Sequence, residues 1–175
     1  IQFDEPVLTE LVFTQGKTRT FMCAALAARS DPAEELEFAT SLMNRVAKAA
    51  NGVRVGVHVC RGNWSRREET LLSGGYRPLV PYFERFDVTQ LVLEYATPRA
   101  GGLVGVPGME IGLGVVNPRT TEVETADEIA MRVEEALNLW PDDKVFLNPD
   151  CGFATFSERE MNDATIAAQK LEAMV

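Results

Sequence analysis

The feature that most constrains the fold of this chain is a regular alternation of short apolar segments with helical patterns. Five segments have the composition of β-strands, and most are nearly continuous apolar runs, which is typical of strands covered on both faces. These segments are Ile1–Phe3, Val53–Val59, Gln90–Tyr95, Ile111–Val116 and Val145–Leu147. Because strands that alternate with helices form parallel sheets, the sequence predicts an α/β fold.

Helical patterns occupy several of the intervals between these strands. Asp31-Pro32 is typical of an N-cap followed by proline. Sequences typical of capping boxes begin at Thr125 and at Ser157. The predicted helices are Thr18–Arg29, which contains Cys23 as a core residue, a helix from Pro32 to Ala50, Ala126–Leu139 and Glu158–Met174.

The length of the repeating unit indicates the size of the complete sheet. Five strand–helix units in 175 residues average about 35 residues each, and eight would need about 280, close to the roughly 250 of a (β/α)8 TIM barrel. The chain is already strand-like at Ile1. We therefore expect residues 1–175 to be the C-terminal portion of one catalytic barrel domain, supplying about its last five βα units, with the N-terminal strands missing. A small open α/β sheet is the alternative.

Composition excludes several classes of function. The net charge of −9 argues against a nucleic-acid partner and against attraction to anionic lipid. No apolar run approaches the roughly 20 residues that span a bilayer. Three cysteines make a disulfide framework improbable and favour reduced thiols in the cytoplasm. Self-association through the open sheet edges of an incomplete barrel is an expected interaction.

Residues that commonly bind metals follow three of the predicted strands. His58 and Cys60 are two residues apart at the end of one strand, so their side chains point the same way. Glu94 interrupts an apolar run, and Cys151 follows the last strand. Since the carboxyl ends of barrel strands meet on one rim, these four residues predict a zinc site. Taken singly, the His-x-Cys pattern arises by chance, Cys151 could be an inert buried thiol, and Glu94 could pair with an arginine.

Other charged residues near the predicted rim have competing interpretations. Asp4 and Glu5 end the first strand, where one could hold a substrate ammonium group or cap the next segment. Arg61, Arg66 and Arg67 follow the strand that contains His58 and Cys60, and they could bind the anionic tail of a substrate. Because Glu68 and Glu69 lie beside them, a solvated surface is the favoured interpretation.

At these residues the sequence resembles the cobalamin-independent methionine synthase family, in its C-terminal catalytic barrel. The matching segments run in the family's order along the whole chain. They are Ile1-Gln2-Phe3-Asp4-Glu5-Pro6, His58-Val59-Cys60, Leu93-Glu94, Ile111-Gly112-Leu113-Gly114-Val115 and Asn148-Pro149-Asp150-Cys151-Gly152. The last segment combined with the upstream His-x-Cys is quite specific.

The resemblance implies a zinc-dependent methyltransferase of methionine biosynthesis built on a TIM barrel. It implies Zn²⁺ held by His58, Cys60, Glu94 and Cys151, and Asp4 as the contact to the amino group of homocysteine. The family transfers a methyl group from methyltetrahydrofolate polyglutamate to the homocysteine thiol.

The chain departs from the family at one position that carries chemistry. Methionine synthases have a histidine shortly after the fourth of these strands, and here the stretch reads Val115-Val116-Asn117-Pro118-Arg119-Thr120. His58 is the one histidine of the chain. Either another group supplies the proton, or the electrophile is not a folate, as in relatives that open epoxides with coenzyme M. A non-catalytic fragment with a structural zinc is the third hypothesis.

Overall fold

A five-stranded parallel sheet forms the centre of the protein. The computed structural model describes residues 1–14, 31–50 and 52–175. The sheet strands are β1 (Gln2–Asp4), β2 (Gly56–His58), β3 (Gln90–Leu93), β4 (Glu110–Val116) and β5 (Val145–Pro149). Their order in the sheet is their order in the chain, and every neighbouring pair is parallel. The predicted α/β fold with a parallel sheet is confirmed.

Helices lie in the connections between the strands, except between β3 and β4, where the connection contains only the 3-10 turn Pro98–Ala100. The helices are α1 (Val7–Thr14), α2 (Pro32–Ala49), α3 (Val80–Phe83), α4 (Ala126–Leu137) and α5 (Ala164–Glu172). The predicted caps of α2 and α4 are present. The Asp31 side chain accepts a hydrogen bond from the Ala33 N–H at 2.8 Å, and Thr125 forms a reciprocal capping box with Glu128. The predicted helix 18–29 and its Cys23 lie outside the described residues.

The prediction that a helix begins after Ser157 is wrong. Ser157 lies in the turn of an antiparallel hairpin formed by β6 (Ala154–Phe156) and β7 (Arg159–Glu160). The last helix begins at Ala164, where the Asp163 side chain accepts a hydrogen bond from the Ile166 N–H at 2.9 Å. The helix α1 was not predicted. Glu5 caps it, because its carboxylate accepts the N–H of Leu8 at 2.8 Å.

The two faces of the sheet differ in character. Alternate side chains pack with the helices into one apolar core, which includes Leu8, Val57, Leu91, Leu93, Ile111, Leu113 and Val115. The intervening positions are mixed: Gln2, Gly56, Gln90, Gly112 and Asn148 are polar or glycine, Val92 and Phe146 are apolar, and all of them line a shared cavity. This alternation places apolar residues toward the helices and leaves the other face free to carry a site.

The register of the strands brings their carboxyl ends to one edge. Asp4 pairs with His58 across β1 and β2, and His58 pairs with Val92 across β2 and β3. Within the described residues β1 and β5 are each paired on one side only, so they form the two edges of the sheet. Among those residues, no helix is both long enough and apolar enough to cross a lipid bilayer.

Candidate metal centre

Four side chains predicted from the sequence converge at the carboxyl edge of the sheet. His58 ends β2, Cys60 follows two residues later, Glu94 follows β3, and Cys151 follows β5. Each offers a ligand atom, and these atoms all lie within 4.8 Å of one another. His58, Cys60 and Glu94 are buried, whereas Cys151 is half-buried. One imidazole, two thiols and one carboxylate form a donor set that suits tetrahedral zinc.

His58 is oriented so that one ring nitrogen faces the other donors. Its Nδ1 lies 3.1 Å from the carbonyl oxygen of Val92, to which the Nδ1–H donates when Nε2 carries the lone pair. Nε2 is buried 3.9 Å from Glu94 Oε1 and has no hydrogen-bond partner among the described residues. A buried polar atom without a partner costs about 1–3 kcal/mol. A metal ion at the centre of the four donors would supply that partner, and metal-binding histidines commonly donate their other N–H to a carbonyl in this way.

The two cysteine sulfurs are as close as a shared metal requires. The Sγ atoms of Cys60 and Cys151 are 3.6 Å apart. Two thiolates bound tetrahedrally to one zinc, with Zn–S bonds of about 2.3 Å, would lie about 3.8 Å apart. The Gly62 N–H donates to Cys60 Sγ at 3.3 Å, which stabilises negative charge on that sulfur. Gly62 has φ +92°, and a Cβ there would overlap the Trp64 ring, so this turn requires glycine.

The pKa values within the cluster show that its electrostatics favour a cation. The adjacent Cys151 thiol, which has the largest effect, and the nearby His58 imidazole lower the pKa of the Cys60 thiol to about 6, against the opposing effect of burial. Burial lowers the pKa of His58, but the Cys60 thiolate and Glu94 outweigh burial and raise it to about 9. The pKa of Cys151 is raised because that thiol faces the Cys60 sulfur. The Cys60 thiolate and the Glu94 carboxylate therefore stabilise a positive charge placed between them.

Cys151 projects from a tightly held turn. Its φ of +61° lies in the left-handed region, which is uncommon for a residue with a side chain. The preceding Asp150 is buried, and its two carboxylate oxygens lie 3.0 and 3.2 Å from the Ala96 N–H, which donates to them. Burial and the nearby Glu94 raise the pKa of Asp150 to about 7. Asp150 thus anchors the turn that presents Cys151.

Glu94 is held by hydrogen bonds on both carboxylate oxygens. Oε1 accepts the Arg61 N–H at 2.7 Å, and Oε2 accepts from Arg99 Nη2 at 2.5 Å. Pairing with an arginine, one of the interpretations from the sequence, is therefore present. It does not exclude the metal-site interpretation, because Oε1 still faces His58 Nε2.

A cavity opens beside these donors. Its volume is ≈ 430 Å³, within the range of small-molecule sites, and Asp4, Cys60, Cys151, Trp64 and Phe156 are among its lining residues. The Asp4 carboxylate is largely exposed and lies 3.9 Å from His58 Nε2. Of the two acidic residues that end β1, Asp4 faces the cavity and Glu5 caps α1.

The expectation of a solvated surface after the His58/Cys60 strand is wrong for Arg61. Its side chain is completely buried, donates to the carbonyl oxygens of Gly74 and Arg99, and has its guanidinium 4.8 Å from the centre of the Tyr76 ring. The expectation holds for Arg67, which is exposed and pairs with Glu69 at 2.7 Å. Burial of Arg61 depends on carbonyl groups from distant turns, which no local pattern indicates.

Comparisons with known proteins agree with this fold. The family described as "Cobalamin-independent synthase, Catalytic domain" matches residues 1–175. The chain is 33% identical over 145 residues to a methionine synthase of Pyrococcus abyssi, a match that covers 81% of this chain and 37% of the relative. It is 32% identical over 127 residues to the uncharacterized protein YxjG of Bacillus subtilis, covering 69% of this chain and 33% of the relative.

Solved structures share the fold. A B12-independent methionine synthase from Shewanella sp. W3-18-1, solved with selenomethionine, superposes with a TM-score of 0.65 at 20% identity. The match covers 99% of this chain and 46% of that one, so the sheet corresponds to part of a TIM barrel. The chain spans less than half the length of these relatives. The family match over all of residues 1–175 shows that the chain belongs to the cobalamin-independent methionine synthases, in their catalytic domain.

Proposed function

We propose that this protein is a zinc-dependent thiol alkyltransferase that methylates homocysteine, with methyltetrahydrofolate polyglutamate as the methyl donor. The observation that carries the proposal is the buried Nε2 of His58, which faces two sulfurs and a carboxylate and has no hydrogen-bond partner within the part of the chain that the structure describes. Membership in the methionine synthase family supports the same chemistry.

The ligand set is suited to activating a thiol. A free thiol has a pKa of about 8.5, and zinc, when bound, holds a coordinated thiol as the thiolate. Two cysteine thiolates and Glu94 bring three negative charges against the two positive charges of zinc. With zinc bound, this excess would keep a substrate sulfur electron-rich and therefore nucleophilic toward a methyl group.

Asp4 is the proposed contact for the amino group of homocysteine. Its carboxylate lies at the mouth of the cavity, on the same side as the metal-binding donors. A charge-assisted hydrogen bond from the substrate ammonium group would hold the thiol toward the metal site. Trp64 and Phe156 line the same cavity and would restrict water around the reacting sulfur.

Metal content of the natural full-length protein tests the ligand set. We expect about one zinc per chain, and Cys60→Ser or Cys151→Ser should remove most of it, because each deletes a thiolate ligand. Cys23→Ser, which changes a thiol outside the proposed set, is the control and should retain the metal. Full zinc occupancy in both ligand variants would show that the assignment is wrong.

X-ray absorption at the zinc edge separates a catalytic from a structural metal. A catalytic site must admit the substrate thiol, so homocysteine should bring one more sulfur to the zinc, either in place of one of the four protein donors or as a fifth ligand, whereas a structural site keeps its four protein ligands unchanged. An unchanged spectrum at saturating homocysteine would favour the structural zinc and contradict the alkyltransferase proposal.

A second candidate is a carbon–sulfur bond-forming transferase or lyase that uses a non-folate electrophile. The observation in its favour lies after β4, in the stretch where methionine synthases have a histidine and this chain has Arg119. The Arg119 side chain is completely buried, and Glu68 accepts from its Nε at 2.6 Å. A guanidinium held in this way is unsuited to donating a proton. Methionine formation at about 1 per second or faster with methyltetrahydrofolate would establish the folate reaction. Homocysteine binding without turnover of the folate would favour the second candidate.

A further inference from the structure

Behind the proposed metal centre, five charged side chains form a continuous chain of alternating sign, from Glu94 through Arg99, Glu68 and Arg119 to Asp150. Arg99 Nη2 lies 2.5 Å from Glu94 Oε2, and Arg99 Nε lies 3.0 Å from Glu68 Oε2. Glu68 Oε1 accepts from Arg119 Nε at 2.6 Å, and Arg119 Nη2 lies 3.6 Å from Asp150 Oδ2. Glu68 is the residue that joins the two arginines.

The chain of charges connects segments that are far apart in sequence but carry the proposed ligands. Glu94 is itself a proposed ligand and follows β3. Asp150 follows β5 and immediately precedes Cys151. Glu68 belongs to the connection after β2, the strand that carries His58. The geometry of the site therefore depends on contacts made at some distance from the ligand atoms.

Burial makes these contacts mutually dependent. The side chains of Glu94 and Asp150 are 1% exposed, that of Arg119 is 0% exposed and that of Arg99 is 7% exposed. Buried charges persist only when they are paired, and removing one partner leaves the other uncompensated. Glu68 is one-third exposed, so it can be replaced at lower cost than its partners. Its Oε1 also accepts from the Asn117 side-chain amide at 3.3 Å.

We propose that Glu68 is a positioning residue of the metal centre. Through Arg99 it orients the Glu94 carboxylate, so that Oε2 accepts a hydrogen bond from Arg99 and Oε1 faces the other proposed metal ligands. Through Arg119 and Asp150 it fixes the turn that presents Cys151. Glu68 does not touch the metal, and it sets the affinity of the site by holding two ligands in place. This inference rests on the proposed function, because it requires that the four donors bind a metal.

The test compares Glu68→Gln with Glu69→Gln in the natural full-length protein. Zinc affinity is measured by competition with a chelator of known affinity. Outer contacts of metal ligands typically contribute about 10–100-fold in affinity, and we expect a loss in that range for Glu68→Gln. Glu69→Gln should leave the zinc affinity unchanged, because the Glu69 side chain is 65% exposed and pairs with Arg67. X-ray absorption should also show fewer oxygen ligands at the zinc of Glu68→Gln.

Thermal unfolding with and without zinc separates positioning from a merely structural role. If Glu68 positions the ligands, the rise in Tm that zinc produces should be smaller in Glu68→Gln than in the wild type. Equal lowering of Tm in both states, with wild-type zinc affinity, would overturn the inference.

A second variant and the wild type complete the test. Arg119→Lys, which keeps the buried charge but loses the planar guanidinium, should weaken zinc binding similarly even if Glu68→Gln does not fold. Wild-type affinity in Arg119→Lys would overturn the inference. A wild type that binds no zinc would instead contradict the proposed function on which the inference rests.

Discussion

Gly114 lies against the anchor of Cys151, where the structure leaves no room for a side chain. A Cβ at this position would lie 2.1 Å from Asp150 Oδ1 and 2.8 Å from the carbonyl oxygen of Leu93. Neither atom can move without breaking the sheet or the anchor of Cys151. We predict that Gly114→Ala lowers the free energy of unfolding by about 1–3 kcal/mol, typical of overpacking, and also weakens zinc binding.

Denaturant unfolding and chelator competition measure these two effects. Gly102→Ala is the matched control, because a Cβ at Gly102 meets no atom of the described residues within 4 Å. A Gly114→Ala protein as stable as the control would show that the Asp150 turn is not constrained from β4.

Glu5 should make the stability of the protein depend on pH. Burial raises its pKa from 4.5 to about 7, although the Leu8 and Val7 N–H groups donate to its carboxylate. Between these values the native state retains a proton that the unfolded state has released, so the free energy of unfolding falls as pH rises through this window. The contribution is fully present below pH 4.5 and is lost as pH rises through about 7.

Glu5→Gln isolates this contribution. We predict that the variant gains stability relative to the wild type between pH 4 and pH 8, by at most about 3 kcal/mol for a shift of this size. Urea unfolding across this pH range measures the difference, with Glu34→Gln on the exposed part of α2 as the control. Parallel pH curves for wild type and Glu5→Gln would contradict the prediction.

At the residue scale, the sequence predicted side chains whose placement depends on strand geometry alone. His58 and Cys60 share a face because side chains alternate along a strand, and Glu94 and Cys151 reach the same edge because parallel strands end there. Glu68 and Arg119 could not be paired in this way. They are 51 residues apart, and their contact depends on how two connections pack behind the sheet.

At the scale of elements, the capping box of α4 should contribute measurably to stability. Thr125 Oγ1 accepts the Glu128 N–H at 3.3 Å, and Glu128 Oε2 accepts the Thr125 N–H at 2.8 Å. We predict that Thr125→Ala lowers the free energy of unfolding by about 1 kcal/mol, because it leaves an N–H of the first turn without its partner. Urea unfolding tests this, with the exposed Thr121→Ala as the control. Equal stability of the two variants would contradict the prediction.

Two similar sequence patterns had different outcomes at this scale. Thr125 and Ser157 both stand three residues before a glutamate, yet only Thr125 begins a helix. Ser157 lies between two short segments that pair as a hairpin, and its carbonyl and N–H groups belong to that turn. A local motif does not specify which long-range pairing competes with it. Helix α1 was not predicted because its cap is a buried glutamate, which is not one of the common N-cap residues.

At the scale of the whole molecule, the sheet has two edges where a closed barrel has none. Strands β1 and β5 are each paired on one side only within the described residues, and Ile1 and Phe146 are exposed beside them. The solved Shewanella structure is matched over 46% of its chain. We therefore propose that residues 1–175 are the C-terminal portion of one barrel domain, whose remaining strands would cover both edges.

This proposal predicts the behaviour of residues 1–175 expressed alone. Unpaired parallel edges present free N–H and C=O groups, which tend to pair with another chain. We expect the isolated piece to associate in solution and to be catalytically silent, because strands that would complete the cavity are absent from it. Gel filtration with light scattering measures association, and a thiol-methylation assay measures activity, with the natural full-length protein as the control for both. A soluble monomer of 19.3 kDa that turns over a thiol substrate would contradict the proposal. Such a result would mean that the isolated chain needs no further strands to cover its sheet edges or to complete its cavity.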